Sequence, residues 1–333
     1  MEGREIPVID VGAVIGDNTD VDSEAFRAVA SQIDHACRTI GFFYITNFGV
    51  ADDLMNRTLL LARQLFDLPL EEKEKASITK SPNHRGYVGM GIENIDDTID
   101  AEAGHGDLKE AFDLSDDIHG GEDKLYGPNL WPPALDEKWR NEMMDHYHRM
   151  CKLCMSILRA FTPSLGVSPD HFEEMYERPL AALRLLRYPP SKSTNKKAEH
   201  QLACGTHTDY GFITLLQQDN VGGLQVQNTM GEWVDALPIP NTLLINLGDM
   251  MSAVTNHQYV ATPHRVLQNG TTNYRYSIPL FFNPQWSTVL TTFPAFLREG
   301  VEPVPPFVFG EHLTARLNAT YSHRREEKVK DSA

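Results

Sequence analysis

The chain has few basic residues for its length. Its 333 residues include 30 Lys and Arg against 46 Asp and Glu, which gives a formal net charge of −16 with neutral histidine. Proteins that bind nucleic acid or an anionic membrane without sequence selectivity need a cationic face. We therefore expect no nucleic-acid partner and no membrane partner.

Long apolar runs are also missing. No stretch approaches the roughly 18 apolar residues that a membrane-spanning helix needs. The N-terminal segment around Ile6-Pro7-Val8-Ile9 lacks the apolar region of a secretory signal. Because 41% of the residues are hydrophobic and 23% charged, the composition is that of a globular protein with a core. We expect a soluble cytoplasmic protein that is a monomer or a weak homo-oligomer.

Four cysteines are too few for a disulfide-stapled scaffold. Cys151 and Cys154 form a Cys-x-x-Cys pair, a spacing that can indicate a metal or redox site. The same spacing places both residues on the buried stripe of a helix that the periodicity predicts over residues 143–161. No second pair completes a zinc tetrad, so we predict that these cysteines pack in the core.

The periodicity divides the chain into regions. Strand and helix patterns alternate over the first 70 residues, a glycine-rich stretch over 80–135 lacks sustained periodicity, and a long helix is predicted over 136–165. From Ala182 onward, short strands follow one another with turns between them, which favours a double-sheet, jelly-roll architecture. We predict a mainly β fold with added helices, an α+β protein.

We expect four segments that fold as one cooperative unit. They are an N-terminal region with the active-site loops (1–125), a segment with the long supporting helix (126–178), a β core (179–320) and a charged tail (321–333). Loops within 80–125 are the ones expected to close over a site. The polar segment 190–203 reads better as a solvated connection.

Metal-ligand spacing occurs twice among the thirteen histidines, a number at which one chance His-x-Asp is ordinary. His105 and Asp107 lie in the glycine-rich stretch, where no predicted strand fixes them. His207 and Asp209 open the β region, where residues two apart point to the same side. His264 begins another predicted strand, and two histidines with one carboxylate form the usual ligand set of non-haem Fe(II).

A cation and a hydroxyl follow His264 at a spacing that places both on one strand face. Arg275 and Ser277 are two residues apart, so both can point inward and hold a carboxylate. A buried arginine without an anion is costly. If Arg275 is interior, it therefore needs an anionic ligand or partner.

These residues resemble a known family. The order His207-x-Asp209, His264, Arg275-x-Ser277 is similar to the H-x-D…H…R-x-S pattern of the 2-oxoglutarate/Fe(II)-dependent dioxygenases, in the branch that includes isopenicillin N synthase. Further segments resemble that family in the same order; they include Gly41-Phe42-Phe43-Tyr44, Arg85-Gly86-Tyr87, Lys109-Glu110-Ala111-Phe112-Asp113 and Asn246-Leu247-Gly248-Asp249. The resemblance covers about residues 6–320.

The resemblance implies a distorted double-stranded β-helix that hydroxylates or oxidises a C–H bond of a small molecule with O₂, releasing succinate and CO₂. It also implies Fe(II) on His207, Asp209 and His264. The 5-carboxylate of 2-oxoglutarate would lie on Arg275 and Ser277, and Tyr188 would contact the co-substrate or the substrate. No catalytic group is expected beyond the metal centre.

Within the family, the pattern is similar to that of the thymine 7-hydroxylases. That likeness implies that Arg184, Tyr210 and Phe281 line a substrate pocket, with the two aromatic rings on either side of a planar molecule. His84 stands where that group has an asparagine, which puts thymine itself in doubt. We also expect Arg184, Arg187, Arg275 and His84 to make the interior cationic.

Two alternatives stay open at this point. The chain can be an oxidase of the synthase type that omits 2-oxoglutarate and uses Arg275 and Ser277 for a substrate carboxylate. It can also be a non-catalytic small-molecule receptor on the same fold.

Overall fold

A computed structural model describes residues 5–16, 19–93, 107–117, 125–190, 202–268 and 272–320. Its strands are β1 (Val8–Asp10), β2 (Phe42–Thr46), β3 (Gly86–Val88), β4 (Glu110–Leu114), β5 (Ala182–Tyr188), β6 (Leu202–His207), β7 (Ile213–Gln218), β8 (Leu224–Gln227), β9 (Trp233–Asp235), β10 (Leu243–Leu247), β11 (His264–Leu267), β12 (Arg275–Phe282), β13 (Val289–Leu290) and β14 (Phe307–Val308). Its helices are α1 (Glu24–Thr39), α2 (Asp52–Phe66), α3 (Leu70–Glu74), α4 (Glu137–Leu165), α5 (His171–Met175), α6 (Asp249–Val254) and α7 (Phe309–Thr320).

Two sheets enclose the interior. The described strands form a major sheet of eight in the order β1-β2-β10-β7-β12-β5-β4-β3 and a minor sheet of four in the order β6-β11-β8-β9. β13 and β14 pair separately. Most pairs are antiparallel, and β1 runs parallel to β2. The predicted jelly-roll core with added helices is confirmed.

The major sheet is buried on both faces, which explains the nearly continuous apolar runs of its strands. On β2, Phe43 and Ile45 pack into the cluster under the helices, while Phe42 and Tyr44 pack into the cluster between the sheets. The alternation follows from the two-residue period of a strand. The same period on β12 determines which of its side chains reach the interior cavity.

Helices α1, α2 and α4 cover the outer face of the major sheet. Ser23 caps the N-terminus of helix α1, where its hydroxyl accepts the N–H of Phe26, and Asp136 caps that of α4, where its carboxylate accepts the N–H of Trp139. Helix α4 ends at Gly166, which has a left-handed φ of 70°. Cys154 is buried and Cys151 partly buried on this helix, and both are free thiols.

The stretch 80–135 contains more regular structure than its glycine content predicts. β3 and β4 lie in it and extend the major sheet beyond β5. The sequence analysis therefore missed two strands in a stretch that it described as loops. The expected lid segments fall largely on 94–106 and 118–124, which lie outside the described residues, as do most of the 190–203 connection and the 321–333 tail.

Helix α7 was also absent from the prediction, and its residues follow β14 directly. A search of the helices in the described part of the chain finds none with the length and apolarity to cross a membrane. The segment boundaries proposed from the sequence stay a prediction.

His146 gives the helical layer a pH dependence. It is buried on α4, its Nδ1 lies 3.0 Å from the hydroxyl of Thr58 on α2, and burial lowers its pKa from 6.5 to about 4. Between these values the unfolded chain binds a proton that the folded protein does not. The free energy of unfolding should fall as pH drops from about 6.5 to 4, by at most about 1.4 kcal/mol per pH unit from this residue. The free energy of unfolding, measured with urea between pH 7 and pH 5, should depend less steeply on pH in His146→Gln than in the wild type. His35→Gln, on the exposed side of α1, is the control, and equal slopes for wild type and His146→Gln would contradict the assignment.

Candidate active site

Three side chains that can ligate a metal converge at one end of the minor sheet. His207 ends β6, Asp209 follows two residues later, and His264 begins β11 directly opposite His207. Their ligand atoms all lie within 4.8 Å of one another, with Asp209 Oδ1 at 3.9 Å from His207 Nε2 and 3.7 Å from His264 Nε2. Among the residues that the structure describes, this is the group placed to hold a metal ion.

Backbone carbonyls orient both imidazoles. His207 Nδ1 lies 2.8 Å from the carbonyl oxygen of Gly205, and His264 Nδ1 lies 3.1 Å from that of Thr262. Because each Nδ1–H donates to a carbonyl, each Nε2 presents its lone pair toward Asp209. Burial also lowers the pKa of His264 to about 4, so this ring is neutral near pH 7. Neutral imidazole is the form that binds a metal.

The carboxylate of Asp209 is buried and oriented by two donors. Its Oδ2 accepts a hydrogen bond from Asn246 Nδ2 at 2.6 Å on β10 and another from the hydroxyl of Thr214 on β7. Burial alone would raise its pKa, but His264, His207 and these two donors outweigh that effect and lower it. The carboxylate is therefore ionised, with Oδ1 left toward the imidazoles.

Two glycines let the backbone around Asp209 pack closely. A Cβ on Gly248 would lie 2.3 Å from the carbonyl oxygen of Gly211 and 2.9 Å from that of Asp209. The next residue, Asp249, donates its N–H to the Asp209 carbonyl at 2.7 Å. The Asn246-Leu247-Gly248-Asp249 segment therefore supports Asp209 with one side chain, one glycine and one backbone N–H.

A cavity of about 190 Å³ adjoins the three ligand residues. One wall is β12, whose Tyr276 and Ile278 face the helices while Arg275, Ser277 and Phe281 line the cavity. Arg275 is only 2% exposed and donates to the hydroxyl of Ser277 and to Gln218 Oε1, each at 3.3 Å. Its guanidinium carbon lies 4.9 Å from the ring centre of Tyr188 on β5.

Arg275 has no carboxylate of the described residues within ion-pair distance, and its buried Nε has no hydrogen-bond partner among them. The carboxylate of Asp219, the residue that follows β7, instead accepts hydrogen bonds from the backbone N–H groups of Val221 and Tyr276. A permanent buried charge in this situation is stabilised when an anion enters the cavity. Arg275 therefore supplies an anion site next to the candidate metal site.

The four residues expected to touch a substrate all line this cavity: His84, Arg184, Tyr210 and Phe281. His84 is buried with a positive φ of 60°. The guanidinium of Arg316 on α7 lies 4.5 Å from the ring centre of Tyr210. The structure thus brings together every site residue that the sequence singled out around His207, Asp209 and His264.

The expected cationic interior is wrong in one respect, because two of the arginines are ion-paired. Arg184 makes a two-pronged contact with Asp113 at 2.6 and 2.7 Å and a third contact with Glu93 at 2.9 Å. Arg187 lies on the opposite face of β5, paired with Glu110 and Asp67. The alternation of β5 puts successive arginines on opposite faces of the sheet.

Sequence reasoning missed several residues that build the site. Asn246 was quoted only as part of a family-like segment, and Thr214 carried no motif at all. Leu313 and Leu317 reach the cavity from α7, whose position no local pattern indicates. In the other His-x-Asp pair, His105 lies outside the described residues, whereas Asp107 is buried against Lys109.

Comparisons with known proteins agree with this geometry. Residues 6–134 match the family model described as non-haem dioxygenase in morphine synthesis N-terminal, and residues 179–284 match that of the 2OG-Fe(II) oxygenase superfamily. A homoarginine-6-hydroxylase of Arabidopsis thaliana is 34% identical over 96% of this chain and 98% of its own length. The chain belongs to the 2OG-Fe(II) oxygenase superfamily.

Other relatives in the superfamily support the same conclusion. A 2-oxoglutarate-Fe(II) type oxidoreductase of Aspergillus fumigatus is 33% identical over 94% of this chain and 93% of its own. Thymine 7-hydroxylase from Neurospora crassa, solved with α-ketoglutarate and thymine, superposes with a TM-score of 0.83 at 30% identity, covering 95% of this chain and 97% of that one. As a member of this superfamily, the chain is an Fe(II)- and 2-oxoglutarate-dependent oxidoreductase that uses O₂ to hydroxylate a small molecule.

The residues present fit both groups that this chemistry requires. Two imidazoles and one ionised carboxylate suit Fe(II), because they leave coordination positions for other ligands. The anionic co-substrate matches the buried guanidinium that lacks a carboxylate.

Gly248→Ala tests the close approach beside Asp209. The added methyl group has backbone atoms as neighbours, so it must displace the segment that holds Asp209. We expect weaker Fe(II) binding in an anaerobic titration, together with a lower Tm. Gly12→Ala is the control. A Cβ on Gly12 would lie 3.2 Å from its nearest neighbour, the Asp10 side chain, and both residues are far in sequence from the strands that line the cavity. Wild-type iron affinity in Gly248→Ala would show that Asp209 tolerates the shift.

Proposed function

We propose that His207, Asp209 and His264 hold Fe(II) and that Arg275 and Ser277 hold the 5-carboxylate of 2-oxoglutarate. The observation that carries the proposal is the buried guanidinium of Arg275, which shares a cavity with the three metal-ligating side chains; among the described residues, its Nε has no hydrogen-bond partner and no carboxylate lies within ion-pair distance of it. Fe(II) bound there would supply the chemistry by which O₂ and 2-oxoglutarate hydroxylate a C–H bond, with succinate and CO₂ as co-products.

The chain's own residues orient the reactants and exclude water. Asn246 and Thr214 fix which oxygen of Asp209 faces the imidazoles, and two backbone carbonyls fix the imidazoles. Arg275 offers a planar fork of N–H donors that matches a carboxylate, and the ring of Tyr188 lies against the guanidinium and helps to keep water away from it. These contacts preorganise the site before the substrate enters.

The family relatives favour 2-oxoglutarate over the two alternatives. An oxidase of the synthase type would place a substrate carboxylate on Arg275, and a receptor would not need the metal-ligating side chains. Anaerobic addition of Fe(II) and then 2-oxoglutarate should produce a visible metal-to-ligand charge-transfer band. Absence of the band while another small acid supports O₂ consumption would favour the oxidase.

We further propose that His84, Arg184, Tyr210 and Phe281 contact the substrate, and that the substrate is small and has a planar group. The cavity volume, the two aromatic rings and the arginine held rigidly by Asp113 and Glu93 support this. The relatives named above act on or bind different small molecules, homoarginine in one case and thymine in another. A screen by O₂ consumption should therefore include nucleobases, planar aromatic acids and basic amino acids.

We also propose that the protein acts in the cytoplasm as a monomer or weak homo-oligomer, without a nucleic-acid or membrane partner. The net charge of −16 supports the absence of these two partners, because a polyanionic surface would be repelled.

Asp209→Ala should abolish succinate formation, because two imidazoles alone leave the iron without its anionic ligand. Succinate release and the anaerobic charge-transfer band are the measurements, and Tm reports whether the fold survives. Asp235→Ala, an exposed residue on β9, serves as the control and should retain turnover. Undiminished turnover in Asp209→Ala would refute the ligand set.

Arg275→Lys keeps the charge but loses the fork of donors. Loss of one hydrogen bond to a charged group, about 1.5–3 kcal/mol, should raise the KM for 2-oxoglutarate roughly tenfold or more while iron stays bound. Arg187→Lys is matched to it, since Arg187 is a buried arginine on the neighbouring strand whose partner is Glu110. An unchanged KM in Arg275→Lys would show that Arg275 holds another molecule.

A further inference from the structure

A β-bulge lies immediately before the first metal-ligating residue. On β11, His264 and Val266 are two residues apart, whereas their partners on β6, His207 and Cys204, are three residues apart. One extra residue is therefore inserted into β6 at Gly205-Thr206. Such a bulge turns polar backbone groups out of the ladder and re-aims the following side chain.

Gly205 at this bulge is held on both sides. Its carbonyl oxygen accepts from His207 Nδ1 at 2.8 Å, and its N–H donates to Asp107 Oδ1 at 3.1 Å. Gly205 is buried, so an unsatisfied N–H would cost free energy and allow the bulge to relax. Asp107 is thus linked to His207 through one residue of backbone.

Asp107 is itself fixed by buried groups. Its Oδ2 accepts from Lys109 Nζ at 2.6 Å, and the same ammonium lies 3.1 Å from Glu93 Oε2 and 3.1 Å from Cys204 Sγ. The backbone N–H of Asp107 also donates to the carbonyl oxygen of Glu93. Asp107 and Lys109 are 7% and 5% exposed, so solvent competes little for these contacts.

We propose that Asp107, anchored by Lys109, is a positioning residue that pins the bulge at Gly205 and thereby aims His207 at the metal. Asp107 belongs to the His-x-Asp pair that the sequence does not favour as a metal site. It acts on His207 from outside the coordination sphere. The inference rests on the proposed role of His207 as an iron ligand. Outer residues that orient ligands typically change metal affinity by about 10–100-fold when removed.

The test is an anaerobic Fe(II) titration of the full chain in the presence of saturating 2-oxoglutarate, in which the charge-transfer band reports iron binding. Asp107→Ala should raise the Kd for Fe(II) by about 10–100-fold and shift the band maximum. Asp107→Asn keeps an oxygen for the Gly205 N–H but loses the charge, so it should raise the Kd by less than Asp107→Ala does. This partial rescue separates positioning from a general loss of packing.

Glu110→Gln is the matched control. Glu110 is the buried neighbour of Lys109 on β4, 3% exposed, and its carboxylate pairs with Lys73 and Arg187 on the opposite face. It should lower Tm and leave the Kd for Fe(II) and the band maximum unchanged. The proposal is overturned if Asp107→Ala binds iron as wild type does, or if Glu110→Gln weakens iron binding equally. Should Asp107→Ala fail to fold, an unchanged Kd in Asp107→Asn overturns it.

His207→Ala distinguishes this proposal from the ligand assignment. If His207→Ala loses iron and the Asp107 variants keep it, only the positioning role fails. If His207→Ala binds iron as wild type does, the ligand assignment itself fails.

Discussion

Arg275 carries a permanent positive charge into the interior between the two sheets, and the rest of the site depends on how that charge is compensated. Several other buried cations of the cavity wall and its surroundings have carboxylates beside them: Lys109 with Asp107 and Glu93, Arg184 with Asp113 and Glu93, Lys73 and Arg187 with Glu110. Arg275 has hydroxyl, amide and aromatic neighbours instead. If 2-oxoglutarate binds as proposed, its carboxylate gives Arg275 an anionic partner, and charge balance and function coincide at this residue.

The strand period determines how these charges are separated. On β5 and β12, one face packs under α1, α2 and α4 and the other faces the cavity. Arg184 and Arg187, three residues apart, therefore belong to different networks. The same alternation lets Arg275 and Ser277 act together while Tyr276, between them, packs in the core. The minor sheet contributes the metal-ligating residues at a single end, where the bulge in β6 sets His207 opposite His264.

Much of this was predictable because strong local signals agree with the tertiary arrangement. The long helix α4 and the succession of short strands beyond Ala182 follow from periodicity, and the His207, Asp209, His264, Arg275, Ser277 set follows from spacing and family resemblance. The strands β3 and β4, which lie in the glycine-rich stretch, were missed, since their regular structure comes from the pairing of β3 with β4 and of β4 with β5 and not from local propensity. Ion pairing of Arg184 was missed because Asp113 and Glu93 lie far away in sequence. Asp107 was given no role because it lies in a stretch without a predicted strand, whereas its contacts with Lys109 and Gly205 define its environment.

The central claim is that one cavity holds iron on three named side chains and the co-substrate carboxylate on Arg275. Anaerobic crystals grown with Fe(II) and 2-oxoglutarate, measured at the iron absorption edge, test it most directly. We expect an anomalous peak among His207 Nε2, Asp209 Oδ1 and His264 Nε2, with 2-oxoglutarate density extending from it to the guanidinium of Arg275. An iron peak at other residues, or a 2-oxoglutarate carboxylate bound away from Arg275, would contradict it.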